Sequence, residues 1–193
     1  MTTMNPQQTL MQVATGYLAS TCLYVAARLR VADLLADGPR PVADLASSTG
    51  TLPDALHRVL RLLVSVGIFS ESAPRVFALN DAAQLLRSGT PGSLHGMALF
   101  LPDPFHYRIY AELLSSVQTD TPAAEKVLGM PLFDYLATDP AYSEIFNDAM
   151  TALSAPAIGA ALVAYDFSRH ATIVDVAGGH GEVLTAILRA CPQ

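Results

Sequence analysis

The segment TIVDVAGGHGEVLTAIL, residues 172–188, constrains this chain more than any other stretch. Thr172, Ile173, Val174 and Val176 form an apolar, largely β-branched run suited to a strand buried on both faces. Gly178, Gly179 and Gly181 then permit a tight turn with close backbone approach to a ligand, and Leu184, Ile187 and Leu188 recur at helical spacing. A strand–turn–helix unit sets its loop at the carboxyl end of the strand, beside the free N–H groups of a starting helix. Backbone alone can there hold small polar or anionic groups. Asp175, near the strand end, is a candidate hydrogen-bond acceptor. The dinucleotide fingerprint G-x-G-x-x-G is not met, because Gly179 and Gly181 have the first spacing while Leu184 stands at the last position. Glycines that simply terminate a strand are the other reading of the same residues.

The remaining composition bounds the function classes. At 193 residues with 51% hydrophobic content, the chain can hold one large domain, or a compact domain plus part of another. A net charge of −6 gives a general field that repels nucleic acid and is no help at an anionic membrane. Cys22 and Cys191 lie far apart with no metal-type pairing, so neither a disulfide framework nor a zinc site is expected, and a reducing cytoplasm fits. No basic-then-apolar leader and no run of 18 uninterrupted apolar residues is present, so neither a secretory signal nor a membrane span is expected.

Leu10, Val13, Ala14, Tyr17, Leu18, Thr21 and Val25 fall on one stripe of a long helix with no proline before Pro39. Its other flank carries Met11, Leu23 and Tyr24, more apolar surface than one core requires, which points to a second subunit; burial within its own domain is the alternative. Beyond it the punctuation becomes regular. Helices are expected to end at Gly38–Pro39, at Gly50, and at Gly67, the last starting with Thr51 as cap and Pro53 in its first turn. Ile68–Ser70 and Arg75–Leu79 read as two short strands around Pro74, followed by a helix capped by Asn80 or Asp81.

Helix, helix, helix and hairpin is a winged-helix order, which raises a DNA-binding regulator as one reading, with residues 53–66 presenting His57, Arg58 and Arg61, and with Arg75 in the wing. So few cations argue for a solvated face instead. Residues 92–166 read as further helices punctuated by Pro102, Pro104, Pro122, Pro131, Pro140 and Pro156. Phe100, Leu101, Phe105, His106, Tyr107, Phe133, Tyr135, Phe146 and Met150 supply the apolar walls that a cavity for a flat organic molecule needs, although core packing calls for most of the same residues. Asn147, Met150 and Ser154, spaced i, i+3 and i+7, share one helix face.

The stretches VADLLADGPRPVADLASSTGTLPDALHRVLRLLVSVGIF, GMPLFDYLATDP, IFNDAMTALS and IVDVAGGHGEVL together resemble the S-adenosylmethionine-dependent O-methyltransferases of the plant caffeate type and their bacterial polyketide- and antibiotic-tailoring relatives. The resemblance spans nearly the whole chain. It implies a mainly α-helical dimerisation domain with a small winged-helix hairpin over residues 1–92, and a helical region contributing to the acceptor pocket and dimer over 93–166. It further implies the first strand, glycine-rich loop and helix of an incomplete, α/β Rossmann-like methyltransferase domain over 167–193.

By that resemblance the cofactor is S-adenosyl-L-methionine and the substrate a small phenolic or polyketide-type aromatic. Ser154, Asp175, Ala177, Gly178, Gly179 and Gly181 would contact the cofactor, and Phe100, Leu101, Asn147 and Met150 the substrate. The family loop D-V-G-G-G-x-G maps onto Asp175–Gly181 with Ala177 in place of a glycine. A histidine general base and a ribose-binding acid are expected beyond Gln193, and neither His170 nor His180 takes the place of that base; His95 and His106 are pocket candidates without a role. The resemblance implies a homodimer through the N-terminal helices, with no nucleic-acid or membrane partner, and a second chain is one way to supply the missing strands. A lone strand and helix cannot bury both faces, so no methyl transfer is expected from these residues alone. A homologue that uses the same fold for non-methylating tailoring chemistry is a further alternative.

Overall fold

The computed structural model describes residues 5–192; residues 1–4 and 193, which bound the first and last expected domains, lie outside the described residues. Helix α1 (Pro6–Arg28) starts at Asn5, whose side chain accepts from Gln7 N–H at 3.0 Å while the Gln8 side chain accepts from Asn5 N–H at 3.3 Å. This reciprocal pairing satisfies donors that a helix start otherwise leaves open. Only Ala26 and Ala27, at its far end, are buried; Leu10, Met11, Val13, Tyr17 and Leu18 are exposed.

After α1 the chain turns through Arg30 into α2 (Val31–Leu34), then β1 (Arg40–Pro41) and α3 (Val42–Thr49), which stops at Gly50 with φ 66°. A residue with a Cβ is disfavoured in that left-handed geometry, so the glycine sets the stop. Helix α4 (Pro53–Ser65) has Pro53 in its first turn as expected, but Leu52 holds the cap position; Thr51 instead pairs its hydroxyl with Thr49 at 2.9 Å. Strands β2 (Ser70–Ala73) and β3 (Val76–Ala78) form an antiparallel hairpin that starts two residues later than expected. The two-residue β1, which the sequence did not announce, adds to its other side in the order β1-β3-β2. Asn80 caps α5 (Asp81–Gln84), accepting from Ala83 N–H at 2.9 Å, and its amide donates to the carbonyls of Gly67 and Phe69, both at 3.0 Å. Leu45, Leu60, Leu63, Phe69 and Phe77 are almost wholly enclosed in the core that these elements share with the end of α1.

The second helical group is α6 (His95–Phe100), α7 (Pro104–Ala111), α8 (Leu113–Thr119), α9 (Ala123–Leu128), α10 (Leu132–Thr138) and α11 (Pro140–Ala164). Pro104 and Pro140 occupy first turns, and Pro122 and Pro131 immediately precede helices, where a missing N–H costs nothing. Pro156 departs from the expectation: it lies inside α11 and does not end it. Helices α6 and α11 cross closely at Gly96, where a Cβ would stand 3.0 Å from the backbone carbon of Asp148. Phe100, Phe105, Leu136, Tyr142 and Ala149 form a second core around this crossing. By length and composition α1 and α11 are each apolar enough to cross a membrane, with mean hydropathies of 1.3 and 1.2, despite the polar residues that interrupt them. Each packs part of its length on the helical body, α1 against α4 and α6, and α11 against α6, α10 and the last helix.

After a single 3₁₀ turn at Phe167–Arg169 the chain reaches the expected strand, and here the expectation fails: Thr172–Val176 form no strand pairing among the described residues. Val174 and Val176 are 77% and 84% exposed, not buried on two faces. A strand exists by its neighbours' hydrogen bonds, and no neighbouring strand lies among the described residues. The following helix does form, as α12 (Glu182–Ala190), with Ile187 buried against α11.

Candidate functional site

Between residues 175 and 181 the backbone turns through three left-handed residues, Ala177 (φ 59°), Gly179 (φ 57°) and Gly181 (φ 73°). Gly181 N–H donates to the Gly178 carbonyl at 2.8 Å, closing the turn, and Gly181 then serves as N-cap of α12. Having no side chain, it leaves the first-turn N–H groups of that helix without a side-chain acceptor, so they are open to a ligand. Gly178 lies so tightly on the Asp175 carboxylate that an added Cβ would collide with it. One oxygen of that carboxylate, Oδ2, is buried and has no hydrogen-bond partner among the described residues. A buried acceptor without a donor is costly, and the groups that answer it are an ammonium or hydroxyl brought by a ligand. Asp175, Gly178, Gly179 and Gly181 are thus assembled into one cradle. Ala177 is part of its backbone, with its methyl in a conformation that favours glycine.

The α11 residues divide. Asn147 lines a cavity of about 480 Å³ together with Ser143, Glu144, Asp148 and His180, bringing a candidate substrate residue and the glycine loop to one space. Met150 is half-buried and packs with Phe146 on the second core. The Ser154 hydroxyl donates back to the Met150 carbonyl at 2.9 Å, which leaves its lone pairs available.

Phe100 and Leu101, expected to share one wall, face different ways. Phe100 is buried, its ring 4.3 Å from His106 and 5.5 Å from Phe146. Leu101 is 53% exposed and lines a separate apolar cavity of about 500 Å³ with Leu23, Ile68, Leu85, Met97 and Tyr110. Adjacent residues of a helix diverge by about 100°, which is the cause.

His106 Nδ1 lies 3.2 Å from the Tyr142 hydroxyl. Burial pushes the His106 imidazole below its ordinary range and the Tyr142 phenol well above its own, so both are held neutral. The Tyr142–His106 contact was not foreseen, although Tyr142, Phe146, Met150 and Ser154 recur every four residues and so mark one helix face in the sequence itself. The cavity wall at His180 carried no such signal, because it depends on how the loop meets α11.

Of the residues of the DNA reading, Arg58 is exposed on α4 with no ion-pair partner among the described residues, and the other three lie beside acids. Arg75 pairs with Asp54 at 2.8 Å, and Arg61 and His57 stand 3.6 Å and 3.5 Å from Glu71. The Glu71 carboxyl is held below its usual range, first by the Arg75 N–H. These acids neutralise most of the charge that phosphate contacts would need, and one free arginine is too little for them. No metal-binding cluster of His, Cys, Asp or Glu is found among the described residues.

Two family models match in chain order: the O-methyltransferase dimerisation domain over residues 11–89 and the O-methyltransferase domain over residues 110–193. The phenazine O-methyltransferase of Lysobacter antibioticus is 42% identical over 184 residues, covering 95% of this chain and 54% of that protein. The crystal structure of LaPhzM superposes with a TM-score of 0.94 at 41% identity, over 98% of this chain and 57% of that one. CalO1, a methyltransferase in calicheamicin biosynthesis solved in its SAH-bound form, gives a TM-score of 0.80 at 34% identity, over 98% of this chain and 58% of that one. The chain spans about half the length of the curated relatives it matches.

Proposed function

Because the chain belongs to the O-methyltransferase family through both of its domain models, we propose that it carries the dimerisation region, part of the acceptor pocket and the first cofactor loop of an S-adenosylmethionine-dependent O-methyltransferase acting on a small aromatic metabolite. One observation carries the reading: the buried, unpartnered Oδ2 of Asp175 beneath a glycine cradle that opens onto the start of α12. The bound cofactor supplies an electrophilic methyl group.

In this reading the residues of the chain bind and orient. Asp175 accepts a hydrogen bond from a polar group of the cofactor, the N–H groups at Gly181 and the start of α12 receive its carboxylate or hydroxyls, and Ser154 offers a lone pair to its methionine end. Gly178 and Gly179 keep the backbone close to the ligand, and Ala177 narrows that approach by one methyl. Met150, Phe146 and Asn147 position the acceptor ring, with Phe100 supporting Phe146 from behind. Alignment of the acceptor oxygen is the main contribution these residues make. The general base that removes the acceptor proton is not among them; a histidine outside these residues supplies it, as in the family pattern.

The helices α3 and α4 with the β1-β3-β2 sheet are read as a winged-helix unit turned to dimerisation. The exposed Leu10, Val13, Tyr17 and Leu18 of α1 are read as surface for a second copy. A second polypeptide that pairs with Thr172–Val176 is one means of completing the methyltransferase sheet.

The decisive test is calorimetric titration of the whole protein with S-adenosylhomocysteine, beside Asp175→Asn. Loss of the carboxylate is expected to weaken binding about tenfold, the scale of one charge-assisted hydrogen bond. Equal affinity of the two proteins, or no binding to either, sinks the reading.

A further inference from the structure

Arg28, Arg30 and Arg40 are three of the eleven basic residues of a chain with net charge −6, and all three come to one place at the junction of α1, α2, β1 and α3. There they meet a cavity of about 620 Å³ lined by Arg28, Arg30, Asp33, Ser48, Thr49 and Ser88 among others. Arg40 reaches its rim, donating to the Leu34 carbonyl at 3.3 Å and to Ser48 Oγ at 3.2 Å.

The hydroxyl protons of this cavity are already committed. Ser48 donates to the Asp44 carbonyl at 2.9 Å, Thr49 to the Leu45 carbonyl at 2.8 Å, and Ser88 to Asp33 at 3.0 Å. Asp33 is likewise occupied, since it also takes Ser88 N–H at 2.8 Å and Arg30 Nε at 3.2 Å. Arg28 has no hydrogen-bond or ion-pair partner among the described residues. Three guanidinium groups against one carboxylate leave two positive charges facing the cavity, with open N–H donors on Arg28 and Arg40.

Arg30 adds a second, independent observation. It holds φ 53°, a left-handed conformation that a side-chain-bearing residue rarely adopts, and in it the guanidinium forks between Asp33 and Ser88 Oγ, the latter at 2.6 Å. The backbone is thereby constrained to keep a cation at the cavity wall.

We infer that this cavity binds a phosphate dianion, free or as the ester of a small metabolite. Guanidinium forks match tetrahedral phosphate oxygens in pairs, and the absence of spare hydroxyl donors leaves the arginines as the recognising groups. The site belongs to the dimerisation region, apart from the glycine loop, and so does not depend on the methyltransferase reading.

The test is titration of the 193-residue chain with inorganic phosphate, and in a second arm with phenyl phosphate, against chloride at matched ionic strength. Arg28→Gln is the diagnostic variant, because Arg28 is exposed and unpaired and its loss leaves the fold intact, checked by circular dichroism. Binding is expected to fall at least about fivefold in that variant, to return in part in Arg28→Lys, and to be unchanged in Arg58→Gln on the exposed face of α4. Tighter binding of phenyl phosphate than of phosphate identifies an ester as the ligand, and the reverse identifies the free anion. No binding above chloride, or equal binding by Arg28→Gln, overturns the inference.

Discussion

From Ala26 to Phe77 the apolar residues are enclosed by one another: Val31, Leu45, Leu60, Leu63, Phe69 and Phe77 expose 2% or less. From Phe167 to Pro192 the balance is reversed, with Ile187 the one buried side chain among the described residues and Val174, Val176 and Leu188 largely uncovered. Both stretches are comparably apolar in sequence. The difference lies in partners: helices α3 and α4 and the hairpin supply each other's missing faces, whereas Thr172–Val176 has no neighbouring strand among the described residues to close its own. Hydrophobic patterning states what a segment must be buried against, and burial follows only where that surface exists.

The comparison is broken most sharply by a pair of truncations. Leu60→Ala removes a fully enclosed side chain and is expected to cost about 2–5 kcal/mol in urea unfolding, from lost transfer energy plus an unfilled cavity. Val174→Ala is expected to stay within about 0.5 kcal/mol, as for substitutions at exposed positions. A loss at Val174 approaching that at Leu60 means that the strand segment is buried against something, and the contrast between the two regions falls.

The middle helices are intermediate and offer the next test. Gly96→Ala places a methyl 3.0 Å from the Asp148 backbone carbon and Cβ and 3.1 Å from Ala149 N, where no flexible side-chain end can move aside. Overpacking of this kind is expected to cost about 1–3 kcal/mol and to separate α6 from α11. Since Phe100 stands on one of these helices and Phe146 on the other, their edge-to-face contact loosens with it, and near-ultraviolet circular dichroism reads the change. A fully neutral substitution shows that the two helices part at this crossing without resistance.

What the sequence made legible follows the same division. Helix ends were readable where a single residue sets them by its own geometry, as Gly50, Pro53 and Asn80 do. The glycine turn over Asp175 was readable for the same reason, since glycine spacing and one acid are local facts. Strand β1 was not, because two residues become a strand only through Phe77 and Val76 opposite them. Nor was the separation of Phe100 from Leu101, which depends on the rotation of α6 against its neighbours, or the meeting of His180 with Asn147, which joins segments more than thirty residues apart. Thr172–Val176 reads as a strand from composition alone, and composition cannot provide the ladder.

The smallest expected effect probes the cradle itself. Ala177 holds φ 59°, and an L side chain in that region costs on the order of 1–2 kcal/mol relative to glycine. Ala177→Gly removes that strain but also gives the unfolded chain more freedom, which opposes it by about 0.4–1 kcal/mol. The net gain is therefore expected to be about 1 kcal/mol or less, and confined to the loop. Amide hydrogen exchange at Gly178 to Glu182 is the measurement that resolves it, because the loop opens without unfolding the enclosed helices. Protection is expected to rise at those amides while the urea midpoint of the whole chain stays where it was. A matching rise in the global midpoint shows that loop and core unfold together, and the two regions are then one cooperative unit; a fall in local protection shows that Ala177 is not held in the left-handed turn.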